Sequence, residues 1–186
     1  MKTEVWLYPN RRALAFGFAL PAFLTLAGLA LITGCVPAGW MLVGYVLGWG
    51  LIVGGALMAG GLLALWRTPR LAYRDGMLLV YLRGYQPLRV PVDVVECFFL
   101  GQGESQMPAS GSAKEESSTI VVRLAESAHE WNHVEVKRSL GHWCDGYITI
   151  RGTWCEPINA PLMKRLNERL VAIHRERRAS AKEPSA

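Results

Sequence analysis

Fifty-four consecutive residues, Ala13 to Trp66, contain no charged side chain and are interrupted only by Pro37-Ala38-Gly39. The stretch reads as a membrane hairpin. A hydrocarbon core about 30 Å thick is crossed by about 20 apolar residues rising roughly 1.5 Å each. The two arms, Ala13 to Val36 and Trp40 to Trp66, hold 24 and 27 residues, so each is long enough to span.

Lys and Arg near the ends of spans are retained on the cytoplasmic side. Lys2, Arg11 and Arg12 precede the first arm, Arg67, Arg70 and Arg74 follow the second, and the connecting turn is uncharged. The expected location is therefore the inner (plasma) membrane, multi-pass, with both termini cytoplasmic. Trp40 and Trp66 at the ends of the second arm, and Trp6 and Tyr8 ahead of the first, suit the headgroup zone as anchors. Residues 1–12 form a cytoplasmic tail in this reading and 13–66 the hairpin.

The second arm carries Gly44, Gly48, Gly50, Gly54, Gly55, Gly60 and Gly61. Pairs four apart lay a flat strip along a helix face where another helix can approach closely. The strip packs either the first arm, at Ala27, Gly28 and Ala30, or a partner, so the expected partners are the bilayer and a protein or second copy. Neither arm holds an ionisable residue of the kind that ion paths and proton relays use, which argues against a transporter or channel. Ile32-Thr33-Gly34-Cys35 resembles a lipoprotein cleavage box. The apolar run ahead of it exceeds the roughly 7 to 15 residues of a signal core, and a second span begins five residues later.

The remaining 120 residues suffice for one domain with its own core. Cys35, Cys97, Cys144 and Cys155 form no CxxC pair, and a cytoplasmic location keeps them reduced. Leu71 and Tyr73, then Asp75-Gly76, then Met77 to Leu82 read as two strands joined by a tight turn. Leu88 to Val92, carrying Pro91, reads as an edge strand, and Val94 to Leu100 as a longer one. Gly101 to Ser118 is polar and rich in Gly and Ser, a flexible loop. Thr119 to Leu124, Val134 to Lys137 and Tyr147 to Arg151 show strand patterning. After Asn159 as cap, Leu162, Met163, Leu166, Leu170 and Ile173 recur at helical spacing. The opposite face presents Lys164, Arg165, Arg169, Arg175, Arg177 and Arg178, which accounts for much of the net charge of +5. Residues 179–186 are expected to be a disordered tail. Arg67, Arg70, Lys164, Arg165 and Arg169 are the expected membrane-facing cations, each able to gain about 1 kcal/mol near an anionic leaflet.

The fold class is thus α+β: a two-helix transmembrane hairpin, then a small antiparallel β-sandwich or barrel over 67–178 closed by one amphipathic C-terminal helix. In this order of elements, with PRLAYRDGMLLVYLRG leading into PLRVPVDVVECFFLG, the chain resembles membrane-anchored bacterial pleckstrin-homology-like (PH-like) domain proteins. The resemblance implies a non-enzymatic scaffold or interaction module at the membrane, without cofactors.

His129-Glu130-Trp131-Asn132-His133 satisfies HExxH. On a helix, His129 and His133 would bind zinc one turn apart while Glu130 polarised the metal-bound water, the machinery of a membrane-tethered hydrolase. That chemistry needs a helix, whereas the flanking patterns are strand-like and place the motif in a connection. A structural site gathering His129, His133, His142, Cys144 and Cys155 has suitable ligand types but no compact zinc spacing. Trp131, Trp143 and Trp154 are expected to pack a core or loop. Phosphate-cradling, dinucleotide and nucleophile-elbow motifs are missing. The basic residues lie on one helix without interleaved aromatics on a sheet, which gives no support to nucleic-acid binding.

Overall fold

The segment expected to be a cytoplasmic tail contains the first strand of the β domain. A computed structural model describes residues 3–33, 38–104 and 116–182, and there β1 (Glu4–Leu7) pairs antiparallel with β2 (Leu71–Arg74), Glu4 opposite Tyr73 and Leu7 opposite Leu71. The chain accordingly divides into two units, Met1–Asn10 with Pro69–Ala186, and Arg11–Thr68. Trp6 is a correction to the membrane-anchor reading: it is 3% exposed, stacked on Tyr73 and edge-on to Phe98.

In the β unit, β2 turns into β3 (Met77–Val80) through Asp75 and Gly76, both at positive φ (52° and 79°), as the Asp-Gly pair requires. β4 (Leu88–Pro91) follows at the edge, where Pro91 removes no ladder bond from an interior strand. These strands form a sheet in the order β1-β2-β3-β4. A second sheet, in the order β5-β6-β8-β7, contains β5 (Val95–Glu104), β6 (Glu116–Leu124), β7 (Gly141–Cys144) and β8 (Tyr147–Arg151). Inward positions alternate along the strands: Leu78, Val80 and Leu82, then Ile120, Val122 and Leu124, then Ile148 and Ile150, all in one buried cluster with Trp6, Phe98 and Trp143.

Three expectations change here. The loop 101–118 is shorter than expected, because β5 runs to Glu104 and β6 starts at Glu116 with Gly101 opposite Thr119; its middle lies outside the described residues. Val134 to Lys137 is not a strand: Lys137 donates a single backbone bond to the Leu82 carbonyl, and Val134 and Val136 rest partly buried against the core. The helix α4 (Ala160–Lys182) continues beyond Arg178, into the first part of the expected tail.

Asn159 caps α4 through its side-chain oxygen, which accepts from Leu162 N at 2.9 Å. Leu162, Met163, Leu166, Leu170 and Ile173 are all buried. Asn167 then does for β5, an edge strand, what a neighbouring strand would: its Oδ1 accepts from Phe98 N and its Nδ2 donates to Phe98 O, both at 2.9 Å.

In the other unit, α1 (Arg11–Gly17) gives way to α2 (Ala19–Ile32) at Phe18. The cause is Pro21, which has no N–H to offer the Gly17 carbonyl four residues back. Together Arg11–Ile32, 22 residues, and α3 (Met41–Arg67), 27 residues, are two helices long and apolar enough to cross a membrane. Cys35 lies outside the described residues. The glycines divide by role. A Cβ on Gly48 would stand 2.8 Å from the Gly28 carbonyl oxygen, and one on Gly55 2.6 Å from Thr25 Oγ1, so these positions set the close approach of α2 and α3. Gly50, Gly54, Gly60 and Gly61 have nothing within 4 Å.

Two outcomes follow for unfolding of the full chain in detergent. Trp6→Ala is expected to cost about 3–5 kcal/mol through lost burial, and Asn167→Ala about 2 kcal/mol because both Phe98 backbone groups lose their partner; urea titration followed by far-UV circular dichroism measures both. In the helical unit, Gly48→Leu is expected to destabilise by about 1–3 kcal/mol through overpacking. Gly54→Leu should leave thermal melting unchanged.

Candidate functional site

The residues on either side of the hairpin meet at one short turn of the β unit. Gly152–Trp154 forms a single 3-10 turn after β8, and the Trp154 carbonyl accepts two bonds, from Asn10 N and from Arg70 Nε, both at 3.1 Å. Pro9 bridges Cys155, Glu156 N donates to the Tyr8 carbonyl, and the Glu156 carboxylate accepts from Tyr8 N. Asn10 is the last residue before α1 and Arg70 lies three after α3, so one carbonyl holds both stems of the hairpin.

Arg70 is therefore a correction to the membrane-facing set. It is 4% exposed, and burial lowers its pKa against the ordinary guanidinium value, with the nearby Cys155 sulfur opposing that shift. Cys155 is 1% exposed, its thiol donates to the Arg151 carbonyl, and desolvation pushes its pKa from 9.0 up to about 12 despite the adjacent guanidinium. The buried pair rests as cation and neutral thiol. Burial, then Glu96, raises the Cys97 thiol, with Arg123 opposing, and a hydrogen bond with Asp145 raises Cys144.

The helix cations are largely engaged. Arg169 pairs with Glu4 of β1 at 2.6 Å, and Arg165 reaches Glu156 at 3.4 Å and the Trp6 carbonyl at 3.5 Å. Arg177 binds Asp93 at 2.8 Å, and Lys164 stands 3.8 Å from Glu168. With the arginines of the β1 and Glu156 pairs roughly half exposed, each pair adds at most about 1 kcal/mol. Their geometry fixes β1 and the 152–156 turn against α4. Of the remaining expected cation, Arg67, the side chain is exposed at the end of α3.

The HExxH segment takes a 3-10 turn over His129–Trp131 and is irregular at His133. His129, Glu130 and His133 are exposed, and Glu130 Oε1 accepts from Trp131 Nε1 at 2.9 Å. Trp131 stacks on Trp143 at 6.0 Å and its carbonyl accepts from Trp143 Nε1 at 2.7 Å, which ties the segment to the core. No group of three His, Cys, Asp or Glu among the described residues is placed to hold a metal ion. Sequence reasoning missed the Trp154 carbonyl junction and the Asn167 clasp; the first has no sequence signal, and the second shows only as a polar residue beside the apolar stripe of α4.

No family model, curated protein or solved structure matches the chain.

The raised Cys155 pKa sets a sign for alkaline stability. The neutral thiol is compatible with the fold below the unfolded value near 9.0, and its contribution is lost as pH rises from there through about 12. Melting temperatures at stepped pH above 9 should fall more steeply for the wild-type chain than for Cys155→Ala, and parallel curves would contradict the assignment.

Proposed function

We propose that this chain is an integral protein of the inner membrane that presents a non-enzymatic PH-like interaction module on the cytoplasmic side. The observation that carries the reading is the pairing of β1 with β2. The strand before the hairpin and the strand after it share one sheet, so a spanning hairpin must return the chain to the side it left. An even number of crossings satisfies that condition, and two helices of sufficient length and apolarity lie between. The Lys and Arg residues before the first arm and after the second favour the cytoplasm for that shared side. The PH-like reading is supported by two four-stranded antiparallel sheets and a C-terminal helix packed on their common core. The module begins at Glu4, and the hairpin is an insertion after its first strand. The Asn167 clasp and the Arg165 and Arg169 pairs are contacts within the fold, and the activity proposed for the module is binding.

Reporter fusions test the topology. Alkaline phosphatase is expected to be inactive at either terminus and active when inserted after Ala38; activity at one terminus would overturn the orientation. Zinc content of the chain purified without chelator should be substoichiometric and equal in wild type and His133→Ala. One equivalent, lost in the variant, would replace the interaction module with a metal hydrolase.

A further inference from the structure

Strand β3 and the two residues that follow it are apolar on both faces. Leu78, Val80 and Leu82 point into the core, and the alternate residues Met77, Leu79 and Tyr81 lie outside the core cluster. An antiparallel strand with one solvated face ordinarily carries polar residues there. Here the outward row forms the floor of a recess of about 290 Å³ lined by Met77, Leu79, Tyr81 and Pro87, with Arg74, Arg89, Thr3 and Asp75 around it. Leu79 is 7% exposed at that floor, opposite Ala72 on one side and Arg89 on the other.

The charge around the recess is largely uncompensated, whereas four of the six cations on the outer face of α4 have an acidic partner. Arg89 is exposed and makes no hydrogen bond or ion pair among the described residues. Arg74 gives its Nε to Asp75 at 3.2 Å, and the two terminal nitrogens of its fork have no partner among the described residues. Two guanidinium groups against one carboxylate leave a net positive rim. Planar forks of this kind match phosphate oxygens in pairs, and the Tyr81 and Thr3 hydroxyls can add donors. The volume lies at the small end of ligand sites, which run from about 300 Å³ upward. It suits a small organic anion and is too small for a peptide segment.

We propose that this recess binds an organic phosphate, with the phosphate group between Arg74 and Arg89 and an apolar body on Met77 and Leu79. Both parts are required, because the guanidinium groups alone would take any anion and the floor alone any apolar group.

The test uses the full chain in nanodiscs of neutral phosphatidylcholine, titrated with hexyl phosphate and with inorganic phosphate by isothermal calorimetry. Hexyl phosphate is expected to bind saturably, and inorganic phosphate at least about tenfold more weakly. The double variant Arg74→Gln, Arg89→Gln should weaken hexyl phosphate by about tenfold or more with an unchanged melting temperature. The control Arg175→Gln, Arg178→Gln, altering exposed cations of α4, should bind as the wild type does. Absence of saturable binding, equal affinity for the two phosphates, or an equal loss in the control would each overturn the proposal. Repeating the titration in discs containing phosphatidylglycerol identifies the source. A fall in apparent affinity for hexyl phosphate assigns the recess to a phospholipid headgroup, and an unchanged affinity assigns it to a soluble phosphate ester.

Discussion

The pairing of Leu7 with Leu71 is the contact on which the rest of the architecture depends. It joins residues on opposite sides of the entire hairpin and makes Trp6 a core residue. It also makes the β unit a domain interrupted by two helices. Closing so long a connection carries an entropic cost that grows only slowly with length, but it delays the contact. β1 is synthesised first, and its partner emerges only after both apolar helices. The meander β2-β3-β4 is local and can form by itself, whereas the first sheet is complete only when β1 docks. The Trp154 carbonyl, which holds Asn10 and Arg70, comes later still in the chain. Completion of the fold is thereby coupled to the presence of both hairpin stems.

The ion pairs of α4 serve the same constraint. Arg169 and Arg165 look on the sequence like part of a basic face free to meet lipid, yet Arg169 finds its acidic partner, Glu4, 165 residues away in the chain, and Arg165 finds Glu156 in the turn just ahead of the helix. Their exposure keeps the energy of each small; burial of five apolar side chains and the Asn167 clasp carry the docking of the helix. The pairs contribute orientation. They select one seat for β1 along α4, and register is what a four-residue edge strand with a bulge between Val5 and Leu7 most lacks.

How far the fold could be read from the sequence followed the distance of each partner. Asp75-Gly76 announced its hairpin because both strands and the turn lie within ten residues. Asp145-Gly146 carries the same signal with the same positive φ values (52° and 75°), but β7 reads Gly-His-Trp-Cys, without the β-branched residues that mark a strand, and escaped notice. Val134 to Lys137 shows the reverse: its alternation correctly reports which side chains face the core, yet the one backbone bond from Lys137 to the Leu82 carbonyl is not continued into a ladder. Trp6 suits a membrane interface and a core equally well by composition. Only Tyr73 and Phe98, distant in sequence, decide between them. Gly101 and its neighbours read as loop by composition, although Thr119 leaves so little room opposite Gly101 that a Cβ would lie 2.7 Å from its hydroxyl oxygen.

The same logic separates the two chemical features that composition alone would rank together. HExxH is a pattern whose meaning depends on an α-helix, since only the 3.6-residue period brings the first and last positions to one face. In a three-residue 3-10 turn that period is lost, and Glu130 and the Trp131 carbonyl serve hydrogen bonds to two indoles. The run Met-Leu-Leu-Val-Tyr-Leu, by contrast, requires no special backbone beyond the strand it forms. Its inward residues account for the core. Its outward residues are in excess of what the fold needs, and they lie beside the two arginines that the fold also leaves without an acidic partner of their own beyond Asp75. HExxH needs the helical period that the turn over His129–Trp131 does not supply, whereas the outward side chains of the strand need no backbone beyond the one that carries them.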